Sequence, residues 1–273
     1  MVTRHTKPGN RLRIALNIRI NYHQWRLALL IGGSRLSLTM NMYQWTRIPD
    51  FTKITDLDYD EYWLTRGFRI RDRLRERETL MRDIIPTGSK VLDLGCGNSF
   101  LPVELKGRGC DVSVGDVSKK VLEGYKEKGV NSYPIDLNQP LDTSRPPLDQ
   151  KYDFIILSEV LEHLPHPERV IKQLAPCTKR FLITIPNSAF FRFRLGLLLR
   201  GRFFTQWVHH PSEHLRFWSH IDFLDWLKAM GLRVVSSKAS NGPKVAKDWW
   251  PNMFGFQMVY DCACPENTPE ATR

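Results

Sequence analysis

The fold of this chain is decided by the stretch Val91-Leu92-Asp93-Leu94-Gly95-Cys96-Gly97-Asn98-Ser99-Phe100. Val91, Leu92 and Leu94 suit a strand that is buried on both faces, as in a parallel sheet. Two glycines follow, and because neither carries a Cβ, the backbone can turn tightly and approach a ligand closely. Asp93 is the unusual residue, since a buried carboxylate is costly unless a cation or hydrogen-bond donor meets it. We therefore predict a strand, a ligand-binding turn and then a helix.

A second acid follows at an informative spacing. Asp116 ends the apolar segment 111–115, twenty-one residues after Gly95. A doubly wound nucleotide-binding sheet presents a carboxylate to ribose hydroxyls at about this spacing. A dinucleotide would favour a third glycine where this chain has Phe100, and its pyrophosphate would lie beside Asp93. S-adenosylmethionine has no phosphate, and its ammonium and sulfonium suit an acid on the turn. We favour S-adenosylmethionine as the cofactor.

The glycine-turn stretch resembles the first motif of the class I S-adenosylmethionine-dependent methyltransferases. Further along, Ile185-Pro186-Asn187 and the Phe-, Arg- and Leu-rich segment after it resemble a narrower group, the methionine-biosynthesis protein W-like methyltransferases. The class I resemblance covers residues 58–262, and the narrower one rests mainly on residues 151–204. One departure is Ser99, where members of the class usually have glycine, and this puts the position of the turn around the cofactor in question.

The resemblance implies an α/β fold. Its sheet is doubly wound, mostly parallel, seven-stranded and Rossmann-like, and it ends in an antiparallel edge hairpin. The residue patterns predict a short helix after the glycine turn, with Pro102 in its first turn. Further strands are predicted at 111–116, 131–135, 152–157, 180–185, 232–238 and 254–262, and helices at 66–85, 119–128, 167–175 and 219–230. We predict no helix between the last two strands, so they should pair antiparallel.

Positive charge is concentrated at the start of the chain. The net charge is +11, but residues 1–49 hold eight Arg and Lys residues and no acid, which leaves +3 for the remainder. This weak excess does not indicate nucleic-acid binding, and we expect none. Three interpretations of residues 1–49 stay open: a transit peptide, a basic arm for an acidic partner, or sequence upstream of a true start at Met40 or Met42. In each case we expect poor order.

Composition divides the chain into four parts. The basic extension 1–49 is followed by an aromatic and helical cap at 50–88 and an S-adenosylmethionine-binding methyltransferase domain at 89–264. Within that domain, residues 189–218 interleave Phe and Leu with Arg, and we interpret them as a lid packed on the domain, with a partner or membrane surface as the alternative. The polar tail 265–273 is predicted to be disordered. Five cysteines, an odd number, and the lack of an apolar run of about 20 residues predict a cytoplasmic protein without a transmembrane segment.

The resemblance implies cofactor contacts for eight residues. Asp93 is expected to orient the methionine ammonium, and Asp116 to bind both ribose hydroxyls. The other six are expected to line the rest of the cofactor: Gly95, Cys96 and Gly97 beside the amino-acid part, Asp136 and Leu137 at the adenine, and Ser158 near the methionine portion. The acidic and aromatic cluster at 58–63 is expected either to cover the cofactor or to act as a hydrophobic clasp on the sheet.

Methyl transfer by in-line displacement demands little from side chains. The protein has to hold the nucleophile of an unidentified, small-molecule acceptor on the methyl–sulfur axis. A general base is needed only for a weak nucleophile. His163 is the first candidate for such a base and Glu159 the second, because both follow the predicted central strand at the ligand-binding edge. A structural role is the alternative for each.

Two other functions stay open. The narrower resemblance implies a link to methionine biosynthesis and a homoserine acyltransferase partner. The chain would then be a regulatory subunit that senses S-adenosylmethionine without turnover, with a partner surface at 190–204. A nicotinamide-dependent oxidoreductase is the remote alternative. We predict no metal site, because Cys262 and Cys264 are too few ligands and the spacing of the histidines and Glu213 within 209–220 matches no standard set. We expect one of those histidines to line the pocket instead.

Overall fold

The computed structural model of the protein describes residues 25–31, 34–40, 58–201, 203 and 213–264. The chain divides into two compact units, residues 1–48 and residues 49–273. Our predictions for the tail 265–273 and for His209 and His210 lie outside the described residues.

The first unit contains two strands that we did not predict. Strands β1 (Trp25–Ile31) and β2 (Ser34–Met40) pair antiparallel, with Trp25 opposite Met40. The sequence carries a signal for this hairpin, because two glycines separate two segments of high strand propensity. The rest of segment 1–49 lies outside the described residues, and its poor order stays a prediction.

A seven-stranded sheet organises the second unit, in the order β5-β4-β3-β6-β7-β9-β8. The first five strands in this order are parallel, and β9 pairs antiparallel with both β7 and β8. This arrangement confirms the predicted fold class and its antiparallel edge pair. The strands are β3 (Lys90–Leu94), β4 (Asp111–Asp116), β5 (Asn131–Pro134), β6 (Tyr152–Ser158), β7 (Thr178–Pro186), β8 (Arg233–Ser240) and β9 (Gln257–Ala263).

Helices cover both faces of the sheet. The second unit contains α1 (Tyr59–Thr65), α2 (Glu76–Ile84), α3 (Leu101–Gly107), α4 (Lys119–Glu127), α5 (Pro167–Leu174), α6 (Phe191–Arg200), α7 (His220–Ala229), α8 (Ala246–Trp249) and α9 (Pro251–Phe254). Apolar residues of α2, α3 and α4 pack on one face, and those of α5 and α7 on the other. The two faces share β3, which turns Val91 to the first layer and Leu92 to the second. None of the described helices is long and apolar enough to cross a membrane.

The predicted helix at 66–85 was wrong in its first half. The chain forms α1, then an irregular segment, and begins α2 only at Glu76. Gly67 takes a φ of +63°, which ends the preceding helix. The backbone N–H of Arg71 then donates to the carbonyl of Asn98 at 3.2 Å, so this segment follows the glycine turn instead of forming helical hydrogen bonds.

The connection between the last two strands also differs from the prediction. Helices α8 and α9 lie within it, and Phe254 ends α9 instead of beginning β9. Pro251 occupies the first turn of α9, where its missing N–H has no cost. The antiparallel pairing of β8 with β9 is nevertheless confirmed. Ser118 and Ser219 cap α4 and α7, since each hydroxyl accepts a hydrogen bond from the first turn of its helix.

Candidate functional site

The glycine turn lies between β3 and α3, and its two glycines cannot be replaced without conflict. Gly95 has a φ of +68°, and a Cβ there would lie 2.6 Å from Val160 Cγ2. Gly97 has a φ of +49°, and a Cβ there would lie 3.1 Å from the ring of Trp63. Both positions therefore require the left-handed freedom and the small volume of glycine. Cys96 between them is buried.

Asp116 ends the neighbouring strand β4 and faces this turn. Its Oδ2 accepts a hydrogen bond from the Gly97 N–H at 3.0 Å, and its Oδ1 accepts from the Ser118 N–H at 3.0 Å. Burial raises the pKa of Asp116, and the hydrogen bonds from Ser118 and Gly97 oppose that shift. The two halves of the predicted cofactor motif are thus joined directly.

Asp93 is a buried acid without a cation. Its side chain is 2% exposed, and its Oδ1 has no hydrogen-bond partner among the described residues. Burial, together with the nearby charges of Glu78 and Asp116, raises its pKa well above the usual range. A bare carboxylate in this setting is unfavourable. The site would therefore gain from a ligand that brings a positive charge to the end of β3.

Ser99, the departure from the class I motif, fits the turn without strain. Its backbone does not adopt the left-handed conformation. Among the described residues other than glycine, Glu159 and Asn241 adopt it. Its hydroxyl donates to Glu78 Oε1 at 3.2 Å and accepts from the Leu101 N–H at 3.2 Å. The Ser99 hydroxyl therefore links Glu78 of α2 to the first N–H of α3, while the N-cap residue of α3 is Phe100.

The aromatic cluster on α1 lies over the turn. Trp63 is in contact distance of Gly97 and packs edge-on against Phe68, with ring centroids 5.4 Å apart. The Ser118 hydroxyl donates to Asp60 Oδ1 at 2.6 Å and so joins α1 to the start of α4. Burial, followed by the charge of Glu213, raises the pKa of Tyr59. The cluster therefore clasps the domain beside the turn, and its role as a cover over the cofactor stays a prediction.

Asp136 and Leu137 follow β5 at the same edge of the sheet. Asp136 Oδ1 accepts a hydrogen bond from the Asn138 N–H at 2.9 Å, which forms a local turn. The side chain of Leu137 is buried in the core. Their roles beside an adenine stay a prediction.

Strand β6 delivers Ser158 and Glu159 to this edge. Glu159 has a φ of +58°, an uncommon conformation for a residue with a side chain. Its carboxylate accepts hydrogen bonds from Gln257 Nε2 at 2.7 Å and from Thr184 Oγ1 at 3.3 Å. The Ser158 hydroxyl lies 3.0 Å from the same Thr184 oxygen. Glu159 is therefore held by its neighbours at both oxygens.

His163 lies in a short 3₁₀ turn after β6, and its ring is oriented by the backbone. Nδ1 is hydrogen-bonded to the carbonyl oxygen of Glu213. Since a carbonyl only accepts, Nδ1 carries the hydrogen and Nε2 keeps its lone pair. Burial lowers the pKa of His163 and favours the neutral ring. The first candidate for a base is thus in the form that accepts a proton.

Three potential metal ligands meet here, which we did not predict from the sequence. Glu162, His163 and His214 bring their ligand atoms within 4.8 Å of one another. The rings of His163 and His214 are perpendicular, with centroids 4.6 Å apart. Glu162 and His163 are adjacent, but His214 lies about fifty residues later, so no local sequence spacing indicates that the three side chains meet. The acid in the apolar stretch around Glu162 was the signal that could have been noticed.

Comparison with known proteins decides the family. Residues 75–262 match the family described as methionine biosynthesis protein MetW. The chain belongs to the MetW family. The narrower of the two resemblances is thereby confirmed.

Curated relatives are similar to the chain in sequence, and one solved structure shares its fold. The chain is 26% identical over 223 residues to a bifunctional methionine biosynthesis protein MetXA/MetW of Rhodopirellula baltica, covering 69% of this chain and 35% of that protein. It is 29% identical over 154 residues to a ubiquinone biosynthesis O-methyltransferase of Coxiella burnetii, covering 54% of this chain and 65% of that protein. The small RNA methyltransferase HEN1 has the same fold, with a TM-score of 0.51 and 17% identity over 70% of this chain and 25% of that one.

The Pro-Asn pair in this MetW-family chain has a structural role. Asn187 is fully buried, and its amide nitrogen donates to the carbonyls of Pro251, Asn252 and Gly255 at 3.3, 3.1 and 2.8 Å. Its Oδ1 accepts from the N–H groups of Ala189 and His220 at 3.0 and 3.3 Å. One side chain therefore joins the end of β7 to α9 and to the start of α7.

Helix α6 of the MetW domain has one buried and one exposed face. Phe190, which precedes the helix, and Phe193 are buried and contact the ring of Phe256. Leu198 and Leu199 are 80% and 66% exposed. The described part of the predicted lid 189–218 therefore packs on the domain and leaves an apolar strip outside, while residues 202 and 204–212 lie outside the described residues.

Proposed function

We propose that this MetW-family chain binds S-adenosylmethionine at the glycine turn and transfers its methyl group to a small-molecule acceptor. The observation that carries the proposal is the buried Asp93, whose Oδ1 has no partner among the described residues and whose surroundings offer it no nearby cation. The methionine ammonium would supply the missing positive charge. The relatives named as O-methyltransferases support the same class of reaction.

The residues of the turn would each have a distinct task. Asp93 would bind the ammonium, and the backbone at Gly95 and Gly97 would allow the amino-acid part to approach. Asp116, already held in position by two backbone N–H groups, would accept hydrogen bonds from the ribose hydroxyls. When bound, the cofactor supplies a methyl group on a sulfonium, which is a good leaving group. The chain's main task is then to orient the acceptor.

His163 is the better placed of the two catalytic candidates. Both oxygens of Glu159 already accept hydrogen bonds from neighbours. His163 keeps the lone pair of Nε2 available, because Nδ1 is bonded to a carbonyl. We therefore expect His163, and not Glu159, to act at the acceptor's nucleophilic atom.

Calorimetric titration with S-adenosylmethionine, S-adenosylhomocysteine and NAD tests the cofactor. We expect both adenosyl ligands to bind and NAD not to bind. Asp93→Asn and Asp116→Asn should each weaken binding at least tenfold, since a hydrogen bond to a charged group contributes about 1.5–3 kcal/mol. Asp111→Asn is the matched control, because Asp111 begins the same strand that Asp116 ends and is exposed. Folded protein that binds neither adenosyl ligand would refute the proposal, as would binding of NAD.

A second candidate is a subunit that senses the cofactor without turnover. Two observations favour it: a relative is named as a bifunctional MetXA/MetW protein, and Leu198 and Leu199 form an exposed apolar strip within 190–204. A homoserine acyltransferase is the partner that we infer from the family resemblance. Incubation with methyl-labelled S-adenosylmethionine and a small-molecule extract separates the two candidates. Label transferred to any small molecule supports the enzyme, whereas tight cofactor binding without transfer supports the sensor.

A further inference from the structure

Glu162 places a carboxyl group in the interior of the protein. It is 0% exposed, and neither carboxylate oxygen has a hydrogen-bond partner among the described residues. Buried charges in proteins are normally paired or coordinate a metal ion. His214 adds a second unpartnered buried atom, since its Nδ1 also lacks a hydrogen bond.

The backbone holds these groups in place. The Glu162 carbonyl accepts hydrogen bonds from the N–H groups of Leu215 and Arg216 at 2.7 and 3.1 Å. The bond between His163 Nδ1 and the Glu213 carbonyl adds a third link between the same two segments. A carbonyl on one ring nitrogen is the usual partner of a metal-binding histidine, because it fixes the ring and directs the other nitrogen to the ion. The arrangement is thus built before any ion arrives.

We infer that Glu162, His163 and His214 form a binding site for one divalent transition-metal ion, of which Zn²⁺ is the best match. Two imidazoles and one carboxylate are a ligand set that Zn²⁺ accepts in catalytic sites, with a fourth position left open. Zn²⁺ bonds of about 2.0–2.2 Å place neighbouring ligand atoms about 3.4 Å apart. The ligand atoms of the three side chains lie within 4.8 Å of one another, so they would have to move closer together to reach that spacing.

The open coordination position of the ion provides a place for the methyl acceptor, and this step rests on the proposed function. The ion would lie in the turn that follows the strand ending at Ser158, at the edge where the acceptor is expected. A hydroxyl oxygen bound there has a lowered pKa and becomes a stronger nucleophile. As the oxygen–methyl bond forms, the methyl–sulfur bond breaks, and the hydroxyl proton passes to water. The acceptor class would be a hydroxyl compound, and His163 would be a metal ligand instead of a base.

Metal binding is tested directly on chelator-treated full-length protein without a histidine tag. We expect one equivalent of Zn²⁺ by calorimetry and, with Co²⁺, visible absorption of a four- or five-coordinate ion. Glu162→Gln and His214→Gln should weaken binding at least tenfold. His166→Gln is the control, because His166 is exposed and three residues from His163. Absence of saturable one-equivalent binding, or equal affinity in all the variants, overturns the site.

X-ray absorption of the Zn²⁺-loaded wild-type protein needs no variant and covers the case in which substitutions prevent folding. Two imidazole ligands with nitrogen at about 2.0–2.1 Å and no sulfur are expected. Sulfur ligation or fewer than two imidazoles overturns the assignment. Titration of the metal-free protein with S-adenosylmethionine separates the two proposals. Cofactor binding without metal binding refutes only the metal site, and metal binding without cofactor binding refutes only the proposed function.

Discussion

Replacing Asn187 should be among the most damaging single changes outside the candidate site. Asn187→Ala removes five hydrogen bonds that join β7 to α7 and α9. With a net contribution of about 1 kcal/mol for each bond, the loss of unfolding free energy is at most about 5 kcal/mol. Pro251 keeps another hydrogen bond from the Gly255 N–H, and the Asn252 carbonyl keeps one from Arg194, so part of the loss is offset. We expect a loss of about 3–5 kcal/mol, a large share of a domain's usual stability.

Urea unfolding followed by tryptophan fluorescence and circular dichroism measures this loss. Asn187→Asp sharpens the test, because a carboxylate keeps the two accepting bonds but faces three carbonyl oxygens. It should be at least as destabilising as the alanine variant. Asn138→Ala is the control, since Asn138 is exposed and should change stability by no more than about 0.5 kcal/mol. The reasoning fails if Asn187→Ala costs less than about 1 kcal/mol, or if aspartate is tolerated better than alanine.

Three further predictions concern single residues. Gly95→Ala should lower the free energy of unfolding in urea by about 1–3 kcal/mol, because of the positive φ at this position and the contact with Val160. Adding Val160→Ala to that variant should recover only part of the loss. Full recovery would show that φ does not matter. Ser99→Gly should lower stability by about 1 kcal/mol, because it removes the hydrogen bonds of the hydroxyl to Glu78 and from the Leu101 N–H. A gain in stability would contradict the role we assign to the contact with Glu78. Burial lowers the pKa of His220 from 6.5, so the unfolded chain binds more protons and stability should fall as pH drops below about 6.5. His220→Gln should reduce the slope of stability against pH between pH 7.5 and 5.5. An unchanged slope would exclude His220 as a cause.

The sequence predicted those parts of the fold that depend on residues close together in the chain. Continuous apolar runs predicted the parallel strands, and the glycines after Leu94 predicted the turn. The helices predicted at 119–128 and 219–230 both begin beside a capping serine, and a cap needs only the residues next to it. The predicted helix at 66–85 failed because a distant hydrogen bond, from Arg71 to Asn98, overrides helical periodicity.

The candidate site was predictable only in part, for a related reason. Asp93 and Asp116 belong to a motif with fixed spacing, so they could be identified before the structure was known. Glu162 and His214 meet only because the 213–216 segment binds the backbone after β6. Asn187 was noticed as part of a family motif, but the carbonyls that accept from its amide nitrogen lie more than sixty residues later, in α9 and just beyond. Contacts of this kind have no signature in a single sequence.

Helix α1 gives the glycine turn a cover that is weaker than the domain beneath it. None of its seven residues is fully buried, and its bond to α4 depends on the half-buried Asp60. Elements with so little burial open at a lower free energy than a sheet core. If S-adenosylmethionine binds at the turn as we propose, its residence time is coupled to the opening of one short helix. Changes at Asp60 should then alter dissociation rates while leaving the sheet intact.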